Sequence, residues 1–196
     1  MAYLNRDERR EIILQAAMRV ALADGFSGMT VRRIAAEAEV ATGQVHHHFA
    51  SAGELKSLAF VRVIGELLDV DLVPDNASWR ERLHSMLGSN EGGLEAYIHL
   101  WREAQLLVNH EAELKGAYVL TMEMWHKKVV DIIQAGVAAG EFTPADTPEN
   151  ISWRLIALVC GLDGIYVLGM PDVDDAAFDR HLDAMISREL FYAPLG

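Results

Sequence analysis

The chain has 196 residues, of which 51% are hydrophobic, so it can bury a core sized for one medium domain or for a small head on a larger body. It has no run of about 18 apolar residues, and its charged N-terminal stretch has no apolar region behind it, so we expect neither a membrane span nor a secretory signal. The single cysteine, Cys160, excludes an intramolecular disulfide and is typical of a reducing compartment. These features predict a globular cytoplasmic protein.

The charge is distributed unevenly along the chain. Residues 1–62 contain eight Lys and Arg against seven Asp and Glu, a net charge of +1. Residues 63–196 contain nine against 22, a net charge of −13, and the two segments together give −12. An evenly acidic surface would repel nucleic acid, but here the acidic load lies outside the N-terminal segment, which leaves that segment able to bind DNA.

Hydrophobic residues recur with the helical period, and no segment shows the two-residue alternation of a strand. A first helix is predicted over residues 7–23, ended by Gly25, and Thr30 reads as the N-cap of a short helix. A second short helix follows over residues 42–48, and two short helices joined by about three residues form a helix-turn-helix. Further helices are predicted over residues 54–68, 79–87, 94–107, 111–139, 148–168 and 175–191. The expected fold is all-α, with three helices in a head and six in a body.

Small and apolar residues keep a fixed spacing from Ile13 to Leu55, a segment that also includes Gly25-Phe26, Thr30-Val31, Ile34-Ala35, Gly43 and His47-His48-Phe49. This pattern resembles the N-terminal domain of the TetR family of transcriptional regulators. The resemblance implies a helix-turn-helix DNA-binding domain over residues 1–52 and a helical ligand-binding and dimerisation domain over residues 53–196. It further implies a repressor that binds palindromic operator DNA as a homodimer and is released by a small-molecule effector.

The candidate DNA-binding residues lie on the two short helices. The first amides after Thr30 can face a phosphate, because a helix N-terminus attracts anions. By the resemblance, Arg32 can reach a guanine edge, and Gln44 suits adenine. A solvated role is the alternative for Arg32 and Arg33. The predicted set is Thr30, Arg32, Arg33, Thr42, Gly43, Gln44, His46, His47 and His48.

Three positions depart from the family pattern. Glu39 stands in the turn where a glycine is usual, and a left-handed backbone there would cost about 1 kcal/mol. His46 replaces a tyrosine that contacts phosphate, and Ala52 replaces a lysine. Fewer fixed cations predict weaker nonspecific affinity for DNA and a shallower dependence on salt.

The body is rich in aromatic and methionine side chains, which favours an apolar ligand pocket with a few polar anchors. Core packing is the alternative for each of these residues taken singly. Acidic neighbours of the aromatic residues favour an organic cation as the effector. By the resemblance, the last two helices, over residues 148–168 and 175–191, form the dimer interface, with an intramolecular core as the alternative. The predicted ligand-binding residues are Tyr97, Trp101, Glu103, Met122 and Trp125.

Enzymatic chemistry is not indicated, since the sequence has no nucleophile with a base, no phosphate-binding loop and no metal-ligand spacing. Consecutive helical residues project about 100° apart, so His46, His47 and His48 cannot converge on one metal ion. We therefore expect no catalytic residue, no cofactor and no metal. A helical protein-interaction module with a degenerate DNA-binding head remains the alternative function, because of Glu39 and the missing lysine.

Overall fold

The computed structural model describes residues 5–70, 72–88 and 93–192, and across these ranges it is all-helical, as predicted. Outside the helices the same ranges contain one isolated β-bridge, between Thr143 and Phe191. Within them no helix is both long enough and apolar enough to cross a membrane. The helices are α1 (Arg6–Gly28), α2 (Val31–Glu37), α3 (Thr42–His48), α4 (Ala52–Asp69), α5 (Trp79–Leu87), α6 (Glu95–Leu107), α7 (Ala112–Ala138), α8 (Pro148–Tyr166) and α9 (Asp175–Leu190).

Polar caps fix where several helices begin. The side chain of Asn5 accepts the backbone N–H of Glu8 at 2.9 Å, and the Glu8 carboxylate accepts the Asn5 N–H in return. Ser78 forms the same reciprocal box with Glu81 at the start of α5. Such caps each contribute about 1 kcal/mol, because they pair amides that have no partner inside the helix.

Helix α1 extends beyond its predicted end. The helical backbone is interrupted at Gly25, with φ 68° and ψ −174°, and one further turn then continues to Gly28. A predicted stop at Gly25 thus coincides with a real break, but the chain resumes helical geometry after it. This break re-aims the chain towards Thr30 and α2.

Two compact units make up the chain. The first contains Met1–Asp69 and Gly92–Met122, and so includes α1 to α4, α6 and the start of α7. Helix α1 is its centre and contacts α2, α4 and α6; Ile13, on its apolar face, is fully buried. Burying a side chain of this size contributes about 1.5–3 kcal/mol. The predicted DNA-binding segment, residues 1–52, lies within this unit, and a functional boundary at residue 52 stays a prediction.

The second unit contains Val70–Glu91 and Glu123–Gly196, with α5, the rest of α7, α8 and α9. Helices α8 and α9 pack on each other and both contact α5. Arg154 of α8 forms an ion pair with Glu189 of α9 at 2.7 Å, which joins these two helices. It also pairs with Asp146, just before α8, at 2.9 Å.

The chain after α9 is held by its backbone. The N–H of Thr143 donates to the Leu190 carbonyl at 2.7 Å, and the N–H of Tyr192 donates to the Thr143 carbonyl at 3.0 Å. The Phe191 ring meets Phe142 edge-on at 5.7 Å. This C-terminal strap closes the second unit over the α7–α8 loop.

Candidate DNA-binding and ligand-binding sites

The helix-turn-helix extends from Thr30 to Phe49. The Thr30 hydroxyl accepts the backbone N–H of Arg33 at 3.1 Å, so Thr30 caps α2 as predicted. Val45 and Phe49 are buried, and their burial turns the opposite side of α3 outward. That outward side presents five exposed members of the predicted set: Thr42, Gly43, Gln44, His46 and His47. A helix exposed in this way can enter a major groove.

The two arginines of α2 differ in their surroundings. Arg32 is exposed. Arg33 pairs with Glu37 and Asp24, each at 3.0 Å, and Glu37 also pairs with Arg19 at 2.9 Å. The hydrogen bond that Arg33 donates to Glu37, followed by the one that it donates to Asp24, raises the pKa of the Arg33 guanidinium above its ordinary value. Contact between Arg33 and DNA would have to compete with these pairs, whereas Arg32 extends into solvent.

The turn between α2 and α3 contains a left-handed residue. Glu39 has φ 55°, and no other non-glycine residue of the described ranges has a positive φ. The sequence-based prediction of left-handed geometry at this position is thereby confirmed. An L side chain pays a conformational cost here that a glycine would not.

We expect Glu39→Gly to raise the free energy of unfolding by about 1 kcal/mol, because it removes the left-handed penalty. For a chain of this size that corresponds to an increase in Tm of about 2–4 °C, measured by circular dichroism. Ala36→Gly, inside α2, is the matched control and should lower stability by about 1 kcal/mol. A Tm that falls in Glu39→Gly would show that the Glu39 side chain stabilises the turn through a contact.

A basic cluster, which sequence reasoning missed, lies near the C-terminal end of α3. The pKa of His48 is held below its ordinary value, first by burial and then by the charges of His47, Arg6, Arg9 and Arg10. The Nδ1 atom of His48 is shielded from solvent and has no hydrogen-bond partner in the structure. The available signal was the spacing of the arginines on α1, since residues i, i+3 and i+4 share one helix face.

This lowered pKa predicts that acid destabilises the protein through His48. The unfolded chain binds the proton with an ordinary pKa of about 6.5, whereas the folded chain binds it only at lower pH. Stability is therefore lost as the pH falls through about 6.5 towards the folded value. His48→Phe should remove this loss. Urea unfolding at pH 8, 7, 6 and 5.5 should therefore show that the free energy of unfolding of His48→Phe, relative to that of wild type, increases as the pH falls. His181→Asn, at an exposed position, is the control; equal pH profiles for wild type and His48→Phe would contradict the prediction.

Three aromatic rings from three helices meet in the first unit. Phe60 of α4 stacks parallel to Tyr118 of α7 at 6.4 Å and meets Trp101 of α6 edge-on at 6.2 Å. The Trp101 indole N–H donates to the Tyr118 hydroxyl at 2.9 Å. We call these residues the aromatic cluster. Phe60 was absent from the predicted ligand-binding set because its place beside α6 depends on tertiary packing.

The other predicted ligand-binding residues have separate surroundings. Tyr97 lies half-buried on α6, one turn before Trp101, and Met122 is half-buried at the end of the first unit. Trp125 belongs to the second unit, where its indole N–H donates to the Met86 carbonyl at 3.1 Å. Their roles in ligand binding stay predictions.

Glu103 is engaged with the backbone of α1. Its carboxylate oxygens accept the N–H of Phe26 at 2.9 Å and of Ser27 at 3.3 Å. A Cβ atom placed on Gly25 would lie 2.5 Å from Glu103 Oε2, so the carboxylate rests directly against a glycine backbone. The predicted role of Glu103 as a ligand anchor is untested, but both of its oxygens already accept hydrogen bonds.

Reactive side chains give no second candidate site. The described part of the chain has no three His, Cys, Asp or Glu side chains placed to hold a metal ion. Burial, followed by the negative charge of Asp163, raises the pKa of the Cys160 thiol. A protonated thiol is a poor nucleophile and a poor metal ligand.

Comparison with known proteins gives a consistent result. The sequence profile of "Bacterial regulatory proteins, tetR family" matches residues 13–55, which contain the helix-turn-helix. The chain is 29% identical, over 76% of its length and 74% of the relative's, to the HTH-type transcriptional repressor KstR2 of Mycolicibacterium smegmatis.

Solved structures share the fold. One is a transcriptional regulator from Saccharomonospora viridis in complex with choline, with a TM-score of 0.70 and 22% identity over 94% of this chain and 98% of that one. Another is the regulator FadR from Bacillus subtilis in complex with stearoyl-CoA, with a TM-score of 0.63 and 16% identity over 91% and 97%. The all-helical architecture, the helix-turn-helix and the matching relatives lead to one assignment. Residues 13–55, and with them the helix-turn-helix, belong to the TetR family of bacterial transcriptional regulators.

Proposed function

We propose that the protein is a ligand-responsive transcriptional repressor that binds a palindromic operator as a homodimer and is released by a small hydrophobic effector. The observation that carries this proposal is the outward face of α3, which is polar and exposed while Val45 and Phe49 anchor the helix from behind. The relative named as a repressor supports repression over activation.

The proposed DNA contacts divide into two kinds. Base edges are read by Arg32, whose guanidinium matches guanine O6 and N7, and by Gln44, whose amide matches adenine N6 and N7. Phosphates are bound by the capped start of α2 and by the basic cluster of α1 and α3. These phosphate contacts supply affinity that decreases as the salt concentration rises, but they do not discriminate between DNA sequences.

The proposed dimer surface is the exposed side of α8. Trp153 is 45% exposed and Ile165 39% exposed, and Ala157, Gly161 and Gly164 are exposed on the same helix. Their spacing of three or four residues places small and apolar side chains on one stripe, which lets a partner helix approach closely. A two-fold dimer through α8 and α9 would present two copies of α3 to two half-sites.

Three measurements together test the central proposal. Fluorescence anisotropy with DNA from the region upstream of the protein's own gene should give specific binding that a scrambled duplex of equal length does not. Sedimentation at micromolar concentration should give a dimer, and footprinting should show half-sites about one helical turn apart. A monomer that binds both duplexes equally would favour the alternative, a protein-interaction module with a degenerate head.

The proposed effector site is the aromatic cluster. An organic cation over the Trp101 ring would gain about 0.5–2 kcal/mol from the ring face. Glu103 is hydrogen-bonded to the backbone of α1, Glu95 to the N–H of Gly93 and Glu113 to the Ser51 hydroxyl. These neutral donors leave the carboxylates their negative charge, so the carboxylates of the first unit favour a cation together with the rings.

We expect choline and tetraethylammonium, cations that do not intercalate into DNA, to release operator DNA and stearoyl-CoA to release it less well. Tryptophan fluorescence reports binding, and anisotropy of labelled operator reports release in the same titration. Trp101→Ala should weaken release by the cations by about tenfold, the upper part of the cation–π range, while Trp79→Phe on α5 serves as the control. Release by stearoyl-CoA alone would reassign the effector class to acyl anions.

A further inference from the structure

The contact between Glu103 and α1 connects the aromatic cluster to the helix-turn-helix. Glu103 lies two residues after Trp101 on α6, so both belong to one rigid helix. Its carboxylate accepts the N–H groups of Phe26 and Ser27, which follow the break at Gly25. Hydrogen bonds to an ionised carboxylate are roughly twice as strong as neutral ones, so α6 is tied firmly to this turn.

The turn that Glu103 holds determines where the helix-turn-helix begins. The N–H of Met29 donates to the Phe26 carbonyl at 3.2 Å, and the N–H of Thr30 donates to the Gly28 carbonyl at 2.8 Å. Thr30 is the N-cap of α2. A displacement of Phe26 is therefore passed along this hydrogen-bonded turn to Thr30, the first residue of the helix-turn-helix.

The same turn also touches the aromatic cluster through its side chain. The Phe26 ring lies 5.6 Å from the Phe60 ring, and Phe60 meets Trp101 and Tyr118. Phe26 is 2% exposed and Phe60 is fully buried. Close-packed rings of this kind cannot move singly, so a ligand that displaces Trp101 must also shift α6 or α4.

We propose that Glu103 is the positioning residue that transmits effector occupancy from the aromatic cluster to the helix-turn-helix. The inference rests on the proposed function and adds its route of regulation. When a ligand enters between the rings, α6 moves, the carboxylate moves with it, and the Phe26–Ser27 amides follow. The ligand-bound and ligand-free states then differ in the position of Thr30 and α2. A ligand that binds one of these states more tightly shifts the equilibrium towards it.

A double-mutant cycle tests this proposal without an effector. Trp101→Phe removes the indole donor to Tyr118 and keeps a ring in the cluster. In a wild-type background this substitution should change the hydrogen-exchange rates of the Phe26 and Ser27 amides by about fivefold, the lower limit of typical coupling. It should change the operator Kd by the same factor. In a Glu103→Ala background the same change should be under about twofold. Glu95→Gln, on the same helix and with its carboxylate accepting the N–H of Gly93, is the matched control and should leave the fivefold response intact.

Choline provides the second arm. Glu103→Gln keeps the shape of the side chain and loses its charge, and operator Kd is measured without choline and at a choline concentration that saturates each protein, so that a change in choline affinity does not enter the comparison. The ratio of the two operator Kd values should fall towards one in Glu103→Gln, because coupling and binding are separate quantities. A role that is only structural would lower stability and leave this ratio unchanged.

The outcomes separate this inference from the proposed function. An equal response to Trp101→Phe in the wild-type and Glu103→Ala backgrounds, or no response in either, overturns the role of Glu103 even if operator binding is specific. Loss of specific operator binding in the wild-type chain overturns the proposed function instead. In that case the exchange rates at Phe26 and Ser27 still decide whether Glu103 couples α6 to the turn.

Discussion

Arg32→Ala should weaken binding to a specific operator by about 1–3 kcal/mol per half-site and relax the preference at one base pair, with little change on random DNA. Arg32 is exposed on the first turn of α2, where its guanidinium can reach a base edge. Competition between labelled operator and single-base variants, read by anisotropy at fixed salt, measures the change at each position.

Arg33→Ala is the matched variant, because it removes the same charge from the neighbouring position. Arg33 is tied to Glu37 and Asp24, and partly exposed pairs of this kind contribute about 0–1 kcal/mol each. We therefore expect a modest loss of stability and an unchanged base preference. If Arg32→Ala weakens specific and random DNA equally, Arg32 contacts phosphate and not a base. If Arg33→Ala alters base preference, the ion pairs open on binding DNA.

Gly25→Ala should lower the free energy of unfolding by about 1–3 kcal/mol, the cost of a backbone conformation that is almost confined to glycine. Gly25 has φ 68° and ψ −174°. The new Cβ would also lie 2.5 Å from Glu103 Oε2, so the carboxylate would have to leave the Phe26 amide. Urea unfolding monitored by circular dichroism measures the loss.

Gly116→Ala on α7 is the matched substitution, since a Cβ there meets nothing within 4 Å. It should raise stability by about 0.5–1 kcal/mol, as expected for an exposed helical glycine. The double variant Gly25→Ala with Glu103→Ala should regain only the part due to the clash. Equal stabilities of Gly25→Ala and wild type would mean that the turn tolerates a different backbone.

Local signals predicted most of the helices. Thr30 and Ser78 mark the starts of α2 and α5 because their side chains pair with amides three residues later, a relation contained within one turn. The left-handed residue Glu39 was likewise visible from its place in the turn. The family model that matches residues 13–55 and the KstR2 relative describe transcriptional regulators, which agrees with the lack of a catalytic motif in the sequence.

The contacts that define the candidate sites could not be predicted in the same way. Glu103 and Phe26 are 77 residues apart in sequence, and periodicity along a helix does not say which distant backbone a carboxylate will meet. The role of Glu103 as a ligand anchor, which rests on its place near Trp101 in sequence, stays a prediction. The ion pair between Arg33 and Asp24 could not be predicted either, because Asp24 lies before the break at Gly25.

The C-terminal strap has a consequence for handling the protein. Its hydrogen bonds join the backbone of Thr143 to the backbone of Leu190 and Tyr192. They therefore depend on the presence of these residues more than on the identity of their side chains. A fluorescent protein or affinity tag fused behind residue 192 should be tolerated, whereas a truncation at residue 189 would expose the ring of Phe142 and promote aggregation.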